Sequence, residues 1–270
     1  MEKEAIREYA RGLGADVVGF AAAGDYRSAR TPGLATILPG VQSMVVLGYR
    51  EIDGALDSAN MRTAMSSRMA VMDLAKRNVY LLARRLEDNF NGKAAPASYP
   101  LDMGHPNMGL LTDVSLRHAA VAAGLGIFGR HNLVINPRHG SRLIFSAVIC
   151  DLPFASDPPC EEDLCTECGL CVESCPARAL DEEGKTADLK CLKVSQPFGI
   201  GRAMGYVKNL MAAEHDERKK LLSDPLFLQL YQASFIGFQY NCFRCIAVGP
   251  VSGPRGHVPE ARRDRNMSPE

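Results

Sequence analysis

Four closely spaced cysteines are the residues of this chain whose type and spacing predict chemistry most directly. The segment reads Cys165-Thr-Glu-Cys168-Gly-Leu-Cys171-Val-Glu-Ser-Cys175-Pro. In a C-x2-C-x2-C-x3-C-P run, three thiolates bind one iron–sulfur cubane and the fourth binds a different one. The alternatives are a zinc site, which usually pairs two C-x2-C units, and a disulfide framework, which is typical of exported chains. We therefore expect two iron–sulfur clusters.

Cysteines further along the chain complete a set of ligands for one of these clusters. Cys191 follows the run, and Asn241-Cys242-Phe-Arg-Cys245 comes later. We call the four thiols expected to bind together the second set: Cys175, Cys191, Cys242 and Cys245. Together they provide the four thiolates that one [4Fe-4S] cluster needs.

The other cluster has three evident thiolates, which we call the first set: Cys165, Cys168 and Cys171. A returning C-x2-C-x3-C-P motif would place its last cysteine at position 249, where the chain has Gly249. Three outcomes stay open. Cys160 binds the fourth iron, a non-cysteine ligand or water binds it, or the iron is absent and a [3Fe-4S] cluster remains. Cys150 lies in an apolar run, and we expect it to be a buried side chain.

Composition and charge place the chain among ordinary globular proteins. Its 270 residues are 46% hydrophobic and 23% charged, with a formal net charge of zero, which fits one large core or two modest domains. The N-terminus lacks the apolar segment of a signal peptide, and no apolar run is long enough to predict a membrane span. Clustered thiols without an export signal favour the cytoplasm. No basic block predicts a nucleic-acid surface.

Hydrophobic periodicity predicts an α+β unit before the cysteine run. Helices are expected at 3–13, 60–90 and 113–123, and strands at 16–22, 43–49, 133–136 and 143–151. Gly92 should end the long helix, whose methionine stripe suits core packing.

The chain is expected to divide near residue 155. Residues 1–155 form the first domain, and residues 156–252 form the iron–sulfur domain, with helices at 206–222 and 224–238 inserted before Cys242. The proline-rich stretch 153–159 predicts a linker. Residues 253–270 are charged, contain Pro and Gly and lack periodicity, so we expect a disordered tail.

The glycines at 124, 126 and 129 match the dinucleotide pattern G-x-G-x-x-G. That pattern should follow a strand and open a helix, whereas here it follows a predicted helix and leads into a strand. Two interpretations remain. The glycines end the helix in a left-handed conformation, or they let the backbone approach a large flat ligand closely.

The segment that contains these glycines resembles the epoxyqueuosine reductases and their relatives, the reductive dehalogenases. Residues 122–136 read Ala-Ala-Gly-Leu-Gly-Ile-Phe-Gly-Arg-His-Asn-Leu-Val-Ile-Asn, and Asp-Leu-Pro follows at 151–153. The families show A-G-L-G-x-x-G-[KR]-x-x-L-x-I-N, then a strand that ends T-D-L-P, then a two-cluster ferredoxin module. The cysteine spacing also matches that module, so the resemblance covers residues 100–250.

The resemblance implies a nitroreductase-like α/β domain that binds cobalamin, followed by a bacterial-ferredoxin-like domain with two [4Fe-4S] clusters. A low-potential ferredoxin or flavodoxin would supply electrons, and reduced cobalt would act on a small-molecule substrate. The alternative is an electron-transfer or corrinoid-activating protein whose partner is another corrinoid protein. The corrin does the hard chemistry in either case. The residues implied to contact it are Gly124, Gly126, Gly129, Arg130, Asn132 and Arg117.

The chain departs from the reductases at the catalytic acid. Those proteins carry an aspartate upstream of the A-G-L-G motif, where this chain has leucines. Asp113 and, further away, Asp102 are the candidates, although a helix dipole would also explain Asp113 if it lies in a first turn. His105 could donate a proton or bind cobalt, and a surface-loop histidine is the alternative. Long reductases also have a C-terminal helical-repeat extension that helps hold tRNA. The chain stops before it, and we expect no nucleic-acid partner.

Overall fold

The central element of the fold is an antiparallel sheet of four strands in the order β1-β2-β6-β3. The computed structural model describes residues 2–29, 31–97, 113–236 and 241–249. Two short strands, β4 and β5, pair with each other beside this sheet. The strands in chain order are β1 Val17–Ala22, β2 Ser43–Arg50, β3 Ala94–Ala97, β4 Ile127–Phe128, β5 Val134–Ile135 and β6 Leu143–Cys150.

Ten α-helices and two short 3-10 helices, Ala23–Asp25 and Leu34–Thr36, are found in the described part of the chain. The α-helices are α1 Glu2–Gly12, α2 Asp53–Leu56, α3 Met61–Phe90, α4 Leu116–Ala122, α5 Leu170–Glu173, α6 Asp188–Ser195, α7 Ile200–Ala212, α8 His215–Leu222, α9 Pro225–Ile236 and α10 Arg244–Ala247. Within the described ranges, none of them combines the length and apolar character required to span a bilayer.

Both faces of the sheet are buried, because alternate residues of a strand point to opposite sides. In β2, Val45 and Leu47 pack with residues of α1 and α3. Their neighbours Met44 and Val46 pack with residues of α4 on the other face. Seven of the eight residues of β2 are buried. The result is a three-layer arrangement of helix, sheet and helix, which confirms the predicted α+β class.

The long helix α3 provides most of one outer layer. Its buried stripe includes Ala75, Val79, Leu82 and Leu86, whereas Met65 is the one buried residue of the methionine stripe. The helix ends at Asn91, which adopts a left-handed conformation with φ 51°, one position before the predicted stop. Asn tolerates that conformation better than most residues.

Gly92 has a packing role instead of ending the helix. A Cβ atom there would lie 2.7 Å from Cδ2 of Leu152. The glycine is therefore needed where the chain passes beside the end of β6.

The segment expected to be a linker is fixed to the sheet. The carboxylate of Asp157 accepts hydrogen bonds from Lys3 (2.6 Å), Arg7 (2.5 Å) and the backbone N–H of Phe20 (3.0 Å). Burial opposes ionisation of Asp157, but the bonds from Arg7 and Lys3 outweigh it and lower its pKa. Residues 153–159 therefore lead to the cysteine run from a defined position, while the domain division at residue 155 stays a prediction.

The insertion between Cys191 and Cys242 contains three helices after α6, where the sequence predicted two. The predicted helix at 206–222 begins earlier, at Ile200, and is interrupted between α7 and α8. The hydroxyl of Tyr206 donates to the carbonyl of Leu221 at 2.8 Å, which holds α7 against α8. The tail at 253–270 lies outside the described residues.

Candidate metal centre

None of the nine cysteines forms a disulfide, and the assignment of seven of them to two ligand sets stays a prediction that the following contacts support. The local backbone explains how the C-x2-C-x2-C run curls. Glu167 (φ 49°) and Gly169 (φ 77°) both adopt left-handed conformations, and α5 begins directly after Gly169. A non-glycine residue with positive φ is uncommon and tends to lie at a functional site. The strained turn brings Cys165 and Cys168 towards Cys171.

We call β1–β6 with α1–α4 the sheet unit, and residues 160–186 the cysteine segment. The first set, Cys165, Cys168 and Cys171, lines a pocket together with Gly249. Residues of the sheet unit in or near β5 line the same pocket: Arg130, His131, Ile135 and Ser141. The position predicted to lack a thiolate therefore lies beside the three thiols that need a fourth partner.

The second set also converges. The pKa of the Cys245 thiol is raised to about 12, first by burial and then by the nearby charges of its neighbours Cys242, Cys191, Cys175 and Cys171. The pKa of Cys171 is raised by burial and then by Cys168 and Cys165. The strongest electrostatic neighbours of each thiol thus belong to its own set. Like-charged thiolates in a buried site need a compensating cation, and the irons of a cluster supply that charge.

Backbone hydrogen bonds to sulfur support an iron–sulfur assignment. The N–H of Arg130 donates to Sγ of Cys165 at 3.3 Å, and the N–H of Ala179 donates to Sγ of Cys175 at 3.3 Å. Such bonds to cluster sulfurs are one of the features by which a protein sets reduction potential. Each set receives one of them, so the residues present fit two clusters.

Within the described stretches, no three His, Cys, Asp or Glu side chains lie close enough to share one metal ion. A cubane does not require that spacing. Four thiolates around one zinc would stand about 3.8 Å apart, given Zn–S bonds of about 2.3 Å in a tetrahedron. In a [4Fe-4S] cluster each thiolate binds a different iron, so the sulfurs stand further apart.

Long-range hydrogen bonds bring the late cysteine pair to the earlier ligands. The N–H of Asn241 donates to the carbonyl of Ser195 at 2.7 Å, which places Cys242 beside the end of α6, the helix that carries Cys191. Phe243, between the two cysteines of the pair, is 1% exposed and packs with Leu56 and Ala64 of the sheet unit. The pair is therefore attached to both parts of the fold.

A buried ion pair that sequence reasoning missed holds Phe243 in place. Glu51 is 1% exposed and accepts two hydrogen bonds from Arg68, at 2.8 and 2.5 Å. The Arg68 guanidinium lies 4.5 Å from the ring centroid of Phe243, a cation–π contact. We call these three residues the clamp. No local pattern marks them, because they come from the residue after β2, from α3 and from the segment between Cys242 and Cys245.

The residues after β5 fix the helix that leads to Gly249. The Ser141 hydroxyl donates to the carbonyl of Ile246 at 3.4 Å, and Arg142 donates to the carbonyl of Ala247 at 3.2 Å. Arg142 also contacts the carboxylate of Asp53 at 2.7 Å. The last carbonyl groups of α10 are thereby bound to the sheet unit.

The glycines implied to contact a corrinoid lie against the chain itself. α4 ends in a Schellman arrangement, in which Leu125 N–H bonds Ala120 carbonyl and Gly124 N–H bonds Val121 carbonyl. A Cβ atom on Gly124 would lie 2.1 Å from the carbonyl oxygen of Pro158. The helix-stop interpretation is therefore confirmed for Gly124.

The other two glycines are also packed closely. A Cβ on Gly126 would lie 2.1 Å from the carbonyl oxygen of Ile135, and one on Gly129 would lie 2.5 Å from the Ile135 side chain. The close approach that these positions allow is to the neighbouring strand β5.

The polar residues implied to contact a corrinoid also bind groups of this chain. Arg130 donates to the carbonyls of Glu182 (3.2 Å) and Asp181 (3.4 Å). The Asn132 amide donates to Thr186 at 3.3 Å, and Arg117 donates to the Asn132 carbonyl. The contacts of Arg130 and Asn132 join the sheet unit to the cysteine segment. The role of the six residues in binding a corrinoid stays a prediction.

The candidate acids and the remaining cysteines are placed as follows. Asp113 is half-buried and precedes α4, which begins at Leu116. It is therefore not in the first turn, so the helix-dipole explanation is wrong, and its catalytic role stays a prediction. His105 and Asp102 lie outside the described residues. Cys150 is fully buried in β6, as expected. Cys160 is half-buried and is not among the described residues that line the first-set pocket.

Comparison with known proteins supports the cofactor and the fold. A 4Fe-4S binding domain model matches residues 161–181. Epoxyqueuosine reductase from Staphylococcus aureus is 38% identical over 84 residues, which are 31% of this chain and 21% of that protein. The Bacillus subtilis enzyme is 24% identical over 220 residues, or 70% of this chain and 54% of that protein. The chain thus spans between a fifth and about half of these two relatives.

Solved structures show the same fold. An epoxyqueuosine reductase from Bacillus subtilis superimposes with a TM-score of 0.60 at 20% identity, covering 96% of this chain and 68% of that one. A second, bound to an epoxyqueuosine-modified tRNA stem loop, gives 0.56 at 21% identity, covering 71% and 56%. A reductive dehalogenase gives 0.51 at 23%, covering 66% and 25%.

The chain resembles the epoxyqueuosine reductases and the reductive dehalogenases. The predicted fold, an α/β unit followed by an iron–sulfur segment, is confirmed by these neighbours. The expectation that nucleic acid is not a partner is not supported, because one solved relative holds a tRNA stem loop.

Proposed function

We propose that this chain is an iron–sulfur oxidoreductase that takes electrons from a low-potential donor and passes them through two clusters to an acceptor at the sheet unit. The observation that carries the proposal is the convergence of seven thiols in two sets, with Cys171 next to both. Cys168 is exposed, which provides a point of electron entry near the surface. The backbone bond from Arg130 to Cys165 places the first set directly against the sheet unit.

The acceptor in this proposal is a corrinoid. The support is the fold shared with a reductive dehalogenase whose structure suggests a mechanism for B12-dependent dehalogenation. When bound, a corrinoid supplies a metal that accepts the electrons and attacks or reduces the substrate. This chain's own residues hold the two sets of thiols and the contact between them and the sheet unit.

A second candidate function is electron transfer to another protein's corrinoid. The observation that favours it is that Arg117, Arg130 and Asn132 all bind groups of this chain. A protein that carried its own corrinoid would have to bind it through other residues.

Anaerobic reconstitution followed by titration with cob(II)alamin tests both functions. About eight irons per chain are expected with two complete [4Fe-4S] cores, and about seven if the first set holds three irons. The corrinoid proposal predicts altered corrin absorption bands at one equivalent. Unchanged bands together with a full iron content would reject the corrinoid and favour the electron-transfer alternative. Protein that binds zinc or no metal would reject both.

The substrate requires a separate experiment. An epoxyqueuosine-modified tRNA stem loop is the first probe, because a solved relative binds one. Mobility shift with the modified stem loop, compared with an unmodified one, decides whether this chain takes the RNA. If neither binds, small epoxides and halogenated aromatics become the candidates for turnover with reduced protein.

A further inference from the structure

We propose that Gly249 leaves one iron of the first cluster without a protein ligand, and that this iron binds a small anion with a sulfur or oxygen donor atom. The inference rests on the two-cluster part of the proposed function and is independent of the corrinoid. It concerns a site that the resemblance to four-thiolate ferredoxin modules does not provide.

The backbone at Gly249 lies beside the first set, although the residue has no side chain that could bind iron. Gly249 lies in the pocket wall with Cys165, Cys168 and Cys171. The helix that precedes it is held by the bonds from Ser141 and Arg142 to its last carbonyl groups. What is missing relative to a four-thiolate site is one CH2–S group.

Among the described residues of the pocket, two of the candidate donors are engaged elsewhere, whereas the Glu167 carboxylate also belongs to the lining and is tested below by Glu167→Gln. Nδ1 of His131 accepts the N–H of Leu133 at 3.2 Å, which assigns the proton to Nε2 and leaves no free lone pair for iron. The Ser141 hydroxyl is directed to the carbonyl of Ile246. Cys160, the candidate considered from sequence, is not among the described residues of the pocket wall.

The pocket determines the chemistry of the ligand. An iron with an open position acts as a Lewis acid and prefers an anionic donor. Arg130 and His131 belong to the same lining, and the guanidinium charge and the Nε2–H group each favour an anionic group, whereas the Glu167 carboxylate of that lining opposes a large negative charge. The room left by the absent side chain fits a group the size of a thiolate or a carboxylate. Thiolate and carboxylate therefore share the required chemistry.

Electron paramagnetic resonance of the anaerobically reconstituted, dithionite-reduced protein tests the proposal. 2-Mercaptoethanol and acetate are the two probes, titrated separately. We expect at least one of them to change the spectrum of the first cluster in a saturable way, while the second-cluster signal is unchanged. Gly249→Cys should retain about eight irons and lose the response, because its thiolate occupies the open position. Gly249→Ala is the matched control and should respond as the wild type does.

Several results would overturn the inference while leaving the two-cluster function intact. One is a wild-type spectrum that neither probe alters. Another is a stable three-iron first cluster that takes up no added ferrous iron on reduction. A third is a change in the probe-free spectrum of Ser141→Ala, Glu167→Gln or Cys160→Ala, which would identify that side chain as the ligand. Absence of both clusters would instead refute the proposed function.

Discussion

The two cysteine sets differ in how the chain completes them. The first set is local: three thiols within seven residues, brought together by one strained turn, with a fourth corner at Gly249. The second set draws on three segments far apart in sequence and depends on α6, the clamp and the contact between Asn241 and Ser195. A local set forms wherever its turn forms, whereas a long-range set requires the whole fold. Retention of the first cluster should therefore depend on the local conformation of one turn, whereas retention of the second should depend on the tertiary structure.

Cys175→Ser should have the largest effect and gives the most direct test of the division into two sets. Cys175 lies in the same short run as the first set but is assigned to the second. We expect loss of about four of about eight irons, with the first-cluster spectrum retained. Mössbauer and electron paramagnetic resonance spectra measure this. Loss confined to the first cluster would reverse the assignment, and Ser174→Ala is a control at the adjacent position.

Arg68→Ala should destabilise the second cluster more than the first, because only the second set depends on the clamp. Removing the guanidinium leaves the carboxylate of Glu51 buried without its partner, which costs about 3–5 kcal/mol. It also removes the contact to Phe243, so the second cluster should be lost on gentle heating before the first. Chemical denaturation gives the free energy of unfolding, and absorbance with iron analysis follows the clusters.

Two further variants make the Arg68 result specific. Arg77→Ala on the exposed side of the same helix should change stability by less than about 0.5 kcal/mol. Glu51→Gln combined with Arg68→Met should recover part of the lost stability, because no unpaired charge remains. If Arg68→Ala released both clusters at the same temperature, the two sets would not differ in their dependence on long-range contacts.

Asp157→Asn should produce a smaller effect, on the approach to the first set. It replaces an acceptor of bonds from Lys3 and Arg7, and charged hydrogen bonds of this kind contribute about 1–3 kcal/mol. Because the pKa of Asp157 is lowered in the folded protein, the unfolded chain binds the proton more readily. Its contribution is present above the unfolded pKa of about 3.9 and is lost as pH falls through the lower folded value.

The difference in denaturation midpoint between wild type and Asp157→Asn should therefore be constant near neutral pH and narrow below about pH 4. Asp163→Asn, an exposed acid in the same part of the chain, is the comparison variant. A difference that did not narrow at low pH would show that the carboxylate charge is not what anchors this segment.

Cys160→Ala should have the smallest effect, and it tests whether Cys160 is the fourth ligand of the first cluster. Since Cys160 is not part of the described pocket wall, we expect unchanged iron content and an unchanged spectrum. Cys165→Ala, by contrast, removes a first-set thiolate and should damage that cluster. If both variants behaved alike, Cys160 would be a ligand and the corner at Gly249 would be closed.

Sequence predicted the parts of this molecule that depend on neighbours along the chain. The C-x2-C-x2-C-x3-C-P run, the stop at Gly124 and the continuous burial of β2 each follow from a pattern of a few residues. The grouping of seven cysteines into two sets also came from the sequence, because the ligand arithmetic of a cluster links positions that periodicity cannot. It stays a prediction, supported by the proximity of Cys245 to Cys242, Cys191 and Cys175. The count of ligands also showed that the first set lacks a fourth thiolate, because Gly249 stands where the motif would place a cysteine.

Contacts between distant segments could not be predicted. Glu51 and Arg68 look like ordinary charges at the end of a strand and on a helix, and only the fold brings them to Phe243. The proline-rich stretch predicted a linker, yet Asp157 binds Lys3 and Arg7, which no local pattern pairs with it. Asn91 ended α3 before Gly92, because the backbone needed a left-handed residue there and the glycine was needed one position later for packing.

The clamp has a consequence for the order of events during synthesis. Glu51 and Arg68 leave the ribosome long before Phe243 does, so their buried pair can form while the ring that covers it is still being made. The aromatic ring then enters a site already prepared for it and brings Cys242 and Cys245 with it. Under the proposed two-cluster function, iron loading of the second set is therefore tied to synthesis of this late segment, because a polypeptide that stops before residue 242 has only Cys175 and Cys191 of that set.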